Sequence, residues 1–213
     1  MPEFEEWKRR EIHQGAEVFI RDGVIDRGKW GLPRPKLKTL FLLKEAYSGS
    51  EDWDLRTYLR KGPKGNMWNQ VAQWSYGLQE LARTGEVAPF PGDKQKAAVV
   101  DAFLSAAAVN LKKSGGKSES DDSDLRKYVE SDWDLLLQQI HDLAPDLVIC
   151  GFTYPIFRDR LRAPKKRGEW IYRANGLTFV DFWHPANHYP HKLNYYSICT
   201  AVRLSGVLAN VGS

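Results

Sequence analysis

Cysteine is nearly absent, with Cys150 and Cys199 alone in 213 residues. Two thiols cannot ligate an iron–sulfur cluster of the four-Cys type or build a disulfide framework, and both sit in apolar stretches where cysteine acts as a small buried hydrophobe. Long hydrophobic runs are missing too. None approaches the ~20 residues that span a bilayer, and the opening Met-Pro-Glu-Phe-Glu-Glu-Trp-Lys-Arg-Arg lacks the apolar core of a secretory signal. A cytoplasmic protein with no membrane partner is expected. No internal repeat is visible. Aromatics, by contrast, are plentiful: eight Trp and nine Tyr exceed the needs of many cores, and such a surplus often lines pockets or stacks on bases. The formal charge of +4 suits a polyanionic partner without requiring one. The length fits one domain, residues 1–213, expected to be a monomer.

Hydrophobic periodicity divides the chain into alternating elements. Residues 3–25 read as an amphipathic helix with Trp7, Ile12, Val18 and Phe19 on its apolar side, so 1–36 is an N-terminal helix and connector. Thr39 to Leu43 is a short apolar run that reads as a buried strand. A helix over 67–83 follows, then one over 94–104, a strand at 106–109 ending on Asn110, and a long helix from Ser123 or Asp124 to Leu143. Leu147 to Cys150 is the third strand, 154–161 a helix and 163–168 a basic loop. Trp170 to Arg173 and Leu177 to Phe182 flank Asn175-Gly176, a hairpin signal. A helix over 193–209 closes the chain. The alternation predicts an α/β fold, a three-layer αβα sandwich on a central, mainly parallel four-stranded sheet.

In a parallel sheet the strand ends share one edge, where open α/β folds place their ligand crevice. Strand one ends at Lys44-Glu45-Ala46-Tyr47, strand two at Asn110 and the last strand at His184-Pro185. A carboxylate, an amide and an imidazole are thus expected at one crevice.

These stretches resemble the uracil-DNA glycosylase superfamily. Lys44-Glu45-Ala46-Tyr47 is similar to its first motif, the apolar strand ending in Asn110 to its base-reading motif, Pro145 to Gly151 to its Pro-x-hydrophobic-Gly strand, and His184-Pro185-Ala186-Asn187 to its His-Pro-Ser-Pro motif. The resemblance runs in order from about residue 38 to 209. It implies a monofunctional DNA N-glycosylase that flips a pyrimidine and leaves an abasic site. Glu45 would stabilise the oxocarbenium-like sugar and position water, and His184 would stabilise the leaving base. Asn110 would read the base edge with a donor and an acceptor side by side, and Tyr47 would crowd C5. An aromatic floor is expected from Trp68, or else from Trp53. Asn187, His188 and Tyr189 fall where the family meets the DNA minor groove. Lys112, Lys113, Lys165, Lys166 and Arg167 are candidate phosphate contacts.

The motifs also depart from the family pattern. Lys44 replaces Gly or Gln, Ala46-Tyr47 mixes two branches, and Ala186-Asn187 replaces Ser-Pro. Uracil and a modified cytosine, such as a phage hypermodified base, both remain as substrates. No cofactor or metal is expected. A His184, His188 and His191 metal set would need a helical face that Pro185 and Pro190 interrupt. A non-catalytic DNA-binding module is the other alternative.

Overall fold

The computed structural model describes residues 4–16, 18–30, 37–47, 49–117 and 119–209. Its centre is β3 (Thr39–Leu43), five residues buried on both faces, as a strand inside a parallel sheet must be. β5 (Ala107–Asn110) pairs with it on one side and β6 (Leu147–Gly151) on the other, and β9 (Leu177–Phe182) pairs with β6, all parallel. Short antiparallel strands extend this four-stranded core into a seven-stranded mixed sheet. β2 (Gly23–Val24) borders β5, and β8 (Ile171–Ala174) and β7 (Lys165–Gly168) continue from β9. Asn175 and Gly176, with φ +52° and +76°, form the β8–β9 turn that their identities predict. Residues 165–168 are therefore an edge strand and not a loop.

Helices cover both faces because β3 alternates. Phe41 and Leu43 pack with α3 (Gly65–Thr84), α4 (Lys96–Leu104) and α7 (His191–Ser205). Leu40 and Leu42 pack with α5 (Asp122–Leu143), α6 (Tyr154–Phe157) and Trp7 of α1 (Phe4–Lys8). Asp121 caps α5 by accepting from the Ser123 N–H, two or three residues ahead of the expected cap at Ser123 or Asp124. At Gly77, α3 meets α7 so closely that a Cβ would lie 2.4 Å from Tyr195 Cε2 and 2.7 Å from Cys199 Sγ.

The N-terminal segment departs from expectation. Helix α1 stops at Lys8, a 3-10 turn covers Glu11–His13, and the chain then extends. Ile20 donates its N–H to the Lys113 carbonyl, β1 (Ile20–Arg21) pairs with β4 (Trp53–Asp54), and β2 joins the main sheet. Hydrogen bonding to a sheet edge overrides helix propensity here. Residues 4–16 and 18–30 accordingly hold sheet strands and the fully buried Trp7 and are not one appended helix, while 31–36 of the expected connector lie outside the described residues.

The chain leaves β3 toward the α2 (Leu55–Leu59) and α3 face, whereas it leaves the flanking β5 and β6 toward α5 and α6. The β3 exit thus lies at a topological switch point, where open α/β sheets form their crevice.

Candidate active site

Beyond the switch point, the β3 and β5 exits stay hydrogen-bonded. Leu111 N–H donates to Leu43 O (2.9 Å), Lys112 N–H to Lys44 O (3.1 Å) and Gly116 N–H to Ala46 O (2.8 Å). Glu45 stands in this zippered segment with its side chain only 5% exposed. Gly116 covers it: a Cβ there would come within 2.5 Å of Glu45 Cγ, so only glycine leaves room for the carboxylate. Glu45 Oε2 lies 3.4 Å from Lys112 Nζ, which also bonds Asp124 at 2.9 Å and sits 4.8 Å from the Tyr128 ring centre. Burial would lower the Lys112 pKa, but the Asp124 hydrogen bond and the negative charges of Glu45 and Asp124 outweigh it and raise the value. Lys112 is thus a fixed cation beside Glu45.

Asn110 ends β5 opposite Leu43 and is 2% exposed. Its backbone is fully engaged. The N–H donates to Asp22 Oδ2 at 2.7 Å, and the carbonyl accepts from Lys113 Nζ at 3.0 Å. The side-chain Nδ2, however, is buried with no hydrogen-bond partner. Buried amides are normally paired, so this one keeps an unspent donor. Beneath it, Lys113 also binds both Asp22 oxygens at 2.8 Å and Gln139 Oε1 at 2.9 Å, over the face of Trp7. Burial draws the Lys113 pKa down against the pull of Asp22.

His184 follows β9. The Ala186 N–H donates to its Nδ1 at 3.2 Å, so the neutral ring carries its proton on Nε2. Burial, reinforced by the nearby Lys44 charge, lowers its pKa to about 4, so the neutral form prevails around neutrality. Gly151 makes the seat: a Cβ there would lie 2.8 Å from Leu43 Cδ2, 3.2 Å from Pro185 Cδ and 3.7 Å from His184 Cδ2. The imidazole is thereby brought beside the end of β3. Asn187 Nδ2 donates to His184 O (2.7 Å), Gln70 Nε2 to Pro185 O (3.1 Å) and Asn194 Nδ2 to Asn187 Oδ1 (2.9 Å). Helices α3 and α7 thus clamp the histidine loop through three amides.

Glu45, Asn110 and His184 therefore share the C-terminal edge of the sheet. The remaining expected residues scatter. Tyr47 is on the rim, bridged to Gly116 and 69% exposed. Trp68 packs edge-on against Phe103, 6.1 Å between centres, and Trp53 against Tyr58 beside β1. Each is tied into packing outside the histidine groove. Lys112 and Lys113 are not phosphate contacts, because Lys112 is nearly enclosed and Lys113 is fully so. Lys165, Lys166 and Arg167 are exposed on the far edge strand β7, two strands beyond β9. Asn187, His188 and Tyr189 line a groove of about 420 Å³ with His184, Phe152 and Trp183. Among the described residues no three acidic, His or Cys side chains converge to hold a metal, so His184, His188 and His191 do not form one site.

Sequence reasoning missed Asp22, Gln70, Phe152, Trp183 and Asn194. One signal was present. Gln70 falls four residues before Trp74, on the apolar side of α3, where an amide must find a buried partner. Comparison of the sequence with protein-family models and with curated proteins yields no match.

Proposed function

We propose that this protein is a DNA N-glycosylase of the three-layer αβα type, removing a 5-substituted cytosine by hydrolysis. The observation that carries the reading is the unspent, buried Nδ2 donor of Asn110 on the same sheet edge as an anionic Glu45 and a neutral His184. Breaking the C1′–N bond leaves cationic character on the sugar and negative charge on the base. Glu45 stabilises the first and orients water, whose oxygen bonds to C1′ while a proton goes to the base. The Nε2–H of His184 donates to the carbonyl oxygen where the second develops, and Asn110 holds the base edge. The chemistry uses side chains and water.

The outward turn of Tyr47 supports a substituted base over uracil. At 69% exposure the ring is turned to solvent, where it would not crowd C5 of a base in the crevice. A purely DNA-binding module gains little from an enclosed carboxylate at its crevice, since a carboxylate repels phosphate.

The test is incubation with single- and double-stranded oligonucleotides carrying uracil, thymine, 5-hydroxymethylcytosine or its glucosylated form, then alkaline cleavage of abasic sites. Cleavage at the modified cytosines is expected. Cleavage at uracil alone would overturn the substrate assignment, and binding without release of any base would leave the binding module.

A further inference from the structure

Three aromatic rings stand in solvent at the crevice. Phe152, Trp183 and Tyr189 are 46%, 40% and 50% exposed, although apolar side chains of this size are ordinarily covered. They form one continuous strip. The Phe152 and Trp183 rings are within 8° of parallel with centres 6.4 Å apart, and Tyr189 follows 5.3 Å from Trp183. The strip lines the same groove as His184.

Phe152 is also held in a costly conformation. Its φ of +57° lies in the left-handed region, which an aromatic residue rarely enters. Its N–H is bonded to the Cys150 and Phe182 carbonyls, which fixes the turn after Gly151. Glycine would adopt this turn without strain. Folding therefore favours Gly at 152, and the phenyl ring needs another reason. Strain of this kind at a crevice points to a binding role.

We infer that Phe152, Trp183 and Tyr189 form a stacking platform for unpaired bases flanking the excised nucleotide, so that the preferred substrate is single-stranded DNA. The inference rests on the glycosylase reading for its ligand class. Bases offer flat π-faces to such a strip without sequence preference. In a duplex those faces are covered by neighbouring pairs; in a single strand they are free. Charge agrees with this partner. The whole chain carries a formal +4, although Lys44, whose Nζ lies 5.4 Å from the Phe152 ring centre, is itself paired with Asp122 at 2.7 Å.

The experiment measures binding of unmodified oligonucleotides, single-stranded and duplex of equal length, by fluorescence anisotropy at fixed salt. Wild type should bind the single strand at least about tenfold more tightly, the weakening that loss of one stacked base produces. Phe152→Gly and Trp183→Ala should each erase most of that preference. Phe152→Gly removes the strained residue and should melt no lower than wild type, so lost binding there is not lost folding. Trp183→Leu provides the same test if Trp183→Ala melts early. Equal affinity for duplex and single strand, or variants that bind like wild type, would overturn the inference. Preferential binding of unmodified single strands, lost in the variants, would sustain the platform even if no base is ever released. Base release with unaltered variant binding would sustain the enzyme and sink the platform.

Discussion

Replacing Glu45 with Gln isolates the electrostatic part of the proposed reaction. The amide keeps the size that Gly116 closes over and can present its oxygen to Lys112. Lys112 is not orphaned, because Asp124 remains at 2.9 Å, so the loss of stability should stay below the roughly 3–5 kcal/mol of an abandoned buried charge. A full charge about 4 Å from a cationic sugar, at an effective dielectric near 20, contributes about 4 kcal/mol. Lys112, 3.4 Å from the carboxylate, offsets part of that field. The expected loss is therefore about 10²–10³-fold in rate, the range seen when one preorganised charge-stabilising group is removed. Single-turnover excision on the best substrate of the oligonucleotide panel, with a thermal melt of each protein, measures it. Binding of DNA should not weaken. A Glu45→Gln variant that is folded and cleaves at the wild-type rate would remove Glu45 from the mechanism.

Asn110→Ala should abolish most excision while DNA affinity and melting temperature change little, since its Nδ2 makes no hydrogen bond to lose. A large drop in melting temperature would make the residue structural. His184, with its value lowered to about 4 against an ordinary 6.5, should stay neutral down to about pH 5. Between pH 6.5 and 4 the unfolded chain binds a proton that the folded one refuses, so His184 makes stability fall as pH drops through that window and leaves it flat above. An NMR titration, assigned with His184→Gln, checks this; a midpoint near the ordinary 6.5 contradicts it. Tyr47→Ala should neither destabilise the fold nor admit larger bases, because the ring already points to solvent; new activity on thymine would show that it closes on the substrate.

The parallel core was legible because β3, β5 and β6 are short apolar runs, each ending at a polar or Gly turn, and α3, α5 and α7 have clear periodicity. The edges were not. β7 is Lys-Lys-Arg-Gly, and charge on an edge strand protects it from stray pairing while erasing any hydrophobic signal. In the N-terminal segment Val18 and Phe19 kept an apolar spacing that also fits a helix, and distant partners, among them the Lys113 carbonyl and the Asp52 carboxylate, decide for extension. Lys112 and Lys113 looked like surface cations for a related reason. Their burial depends on Asp22, Asp124 and Gln139, and no local pattern links Lys113 to an aspartate 91 residues earlier. The three strand-end residues at the crevice needed only the sheet order. The amides that hold the histidine loop needed the packing of two helices, which spacing alone does not reveal.

Gly77 shows how far that packing reaches. It lies about two turns of α3 beyond Gln70, pressed against Tyr195, the neighbour of Asn194. An added methyl would sit 2.4 Å from the Tyr195 ring, where ordinary contact begins near 3.4 Å, so the two helices would have to part by about an ångström. Asn194 would move with α7 while Gln70 stayed with α3, pulling the two ends of the clamp on the histidine loop in different directions. A displacement of about 1 Å at a reacting group can cost some 10²-fold in rate. The mutational footprint of this crevice thus extends into the interior, to a position with no side chain and no contact with any ligand, where the gap between two helices acts as the gauge block of the site.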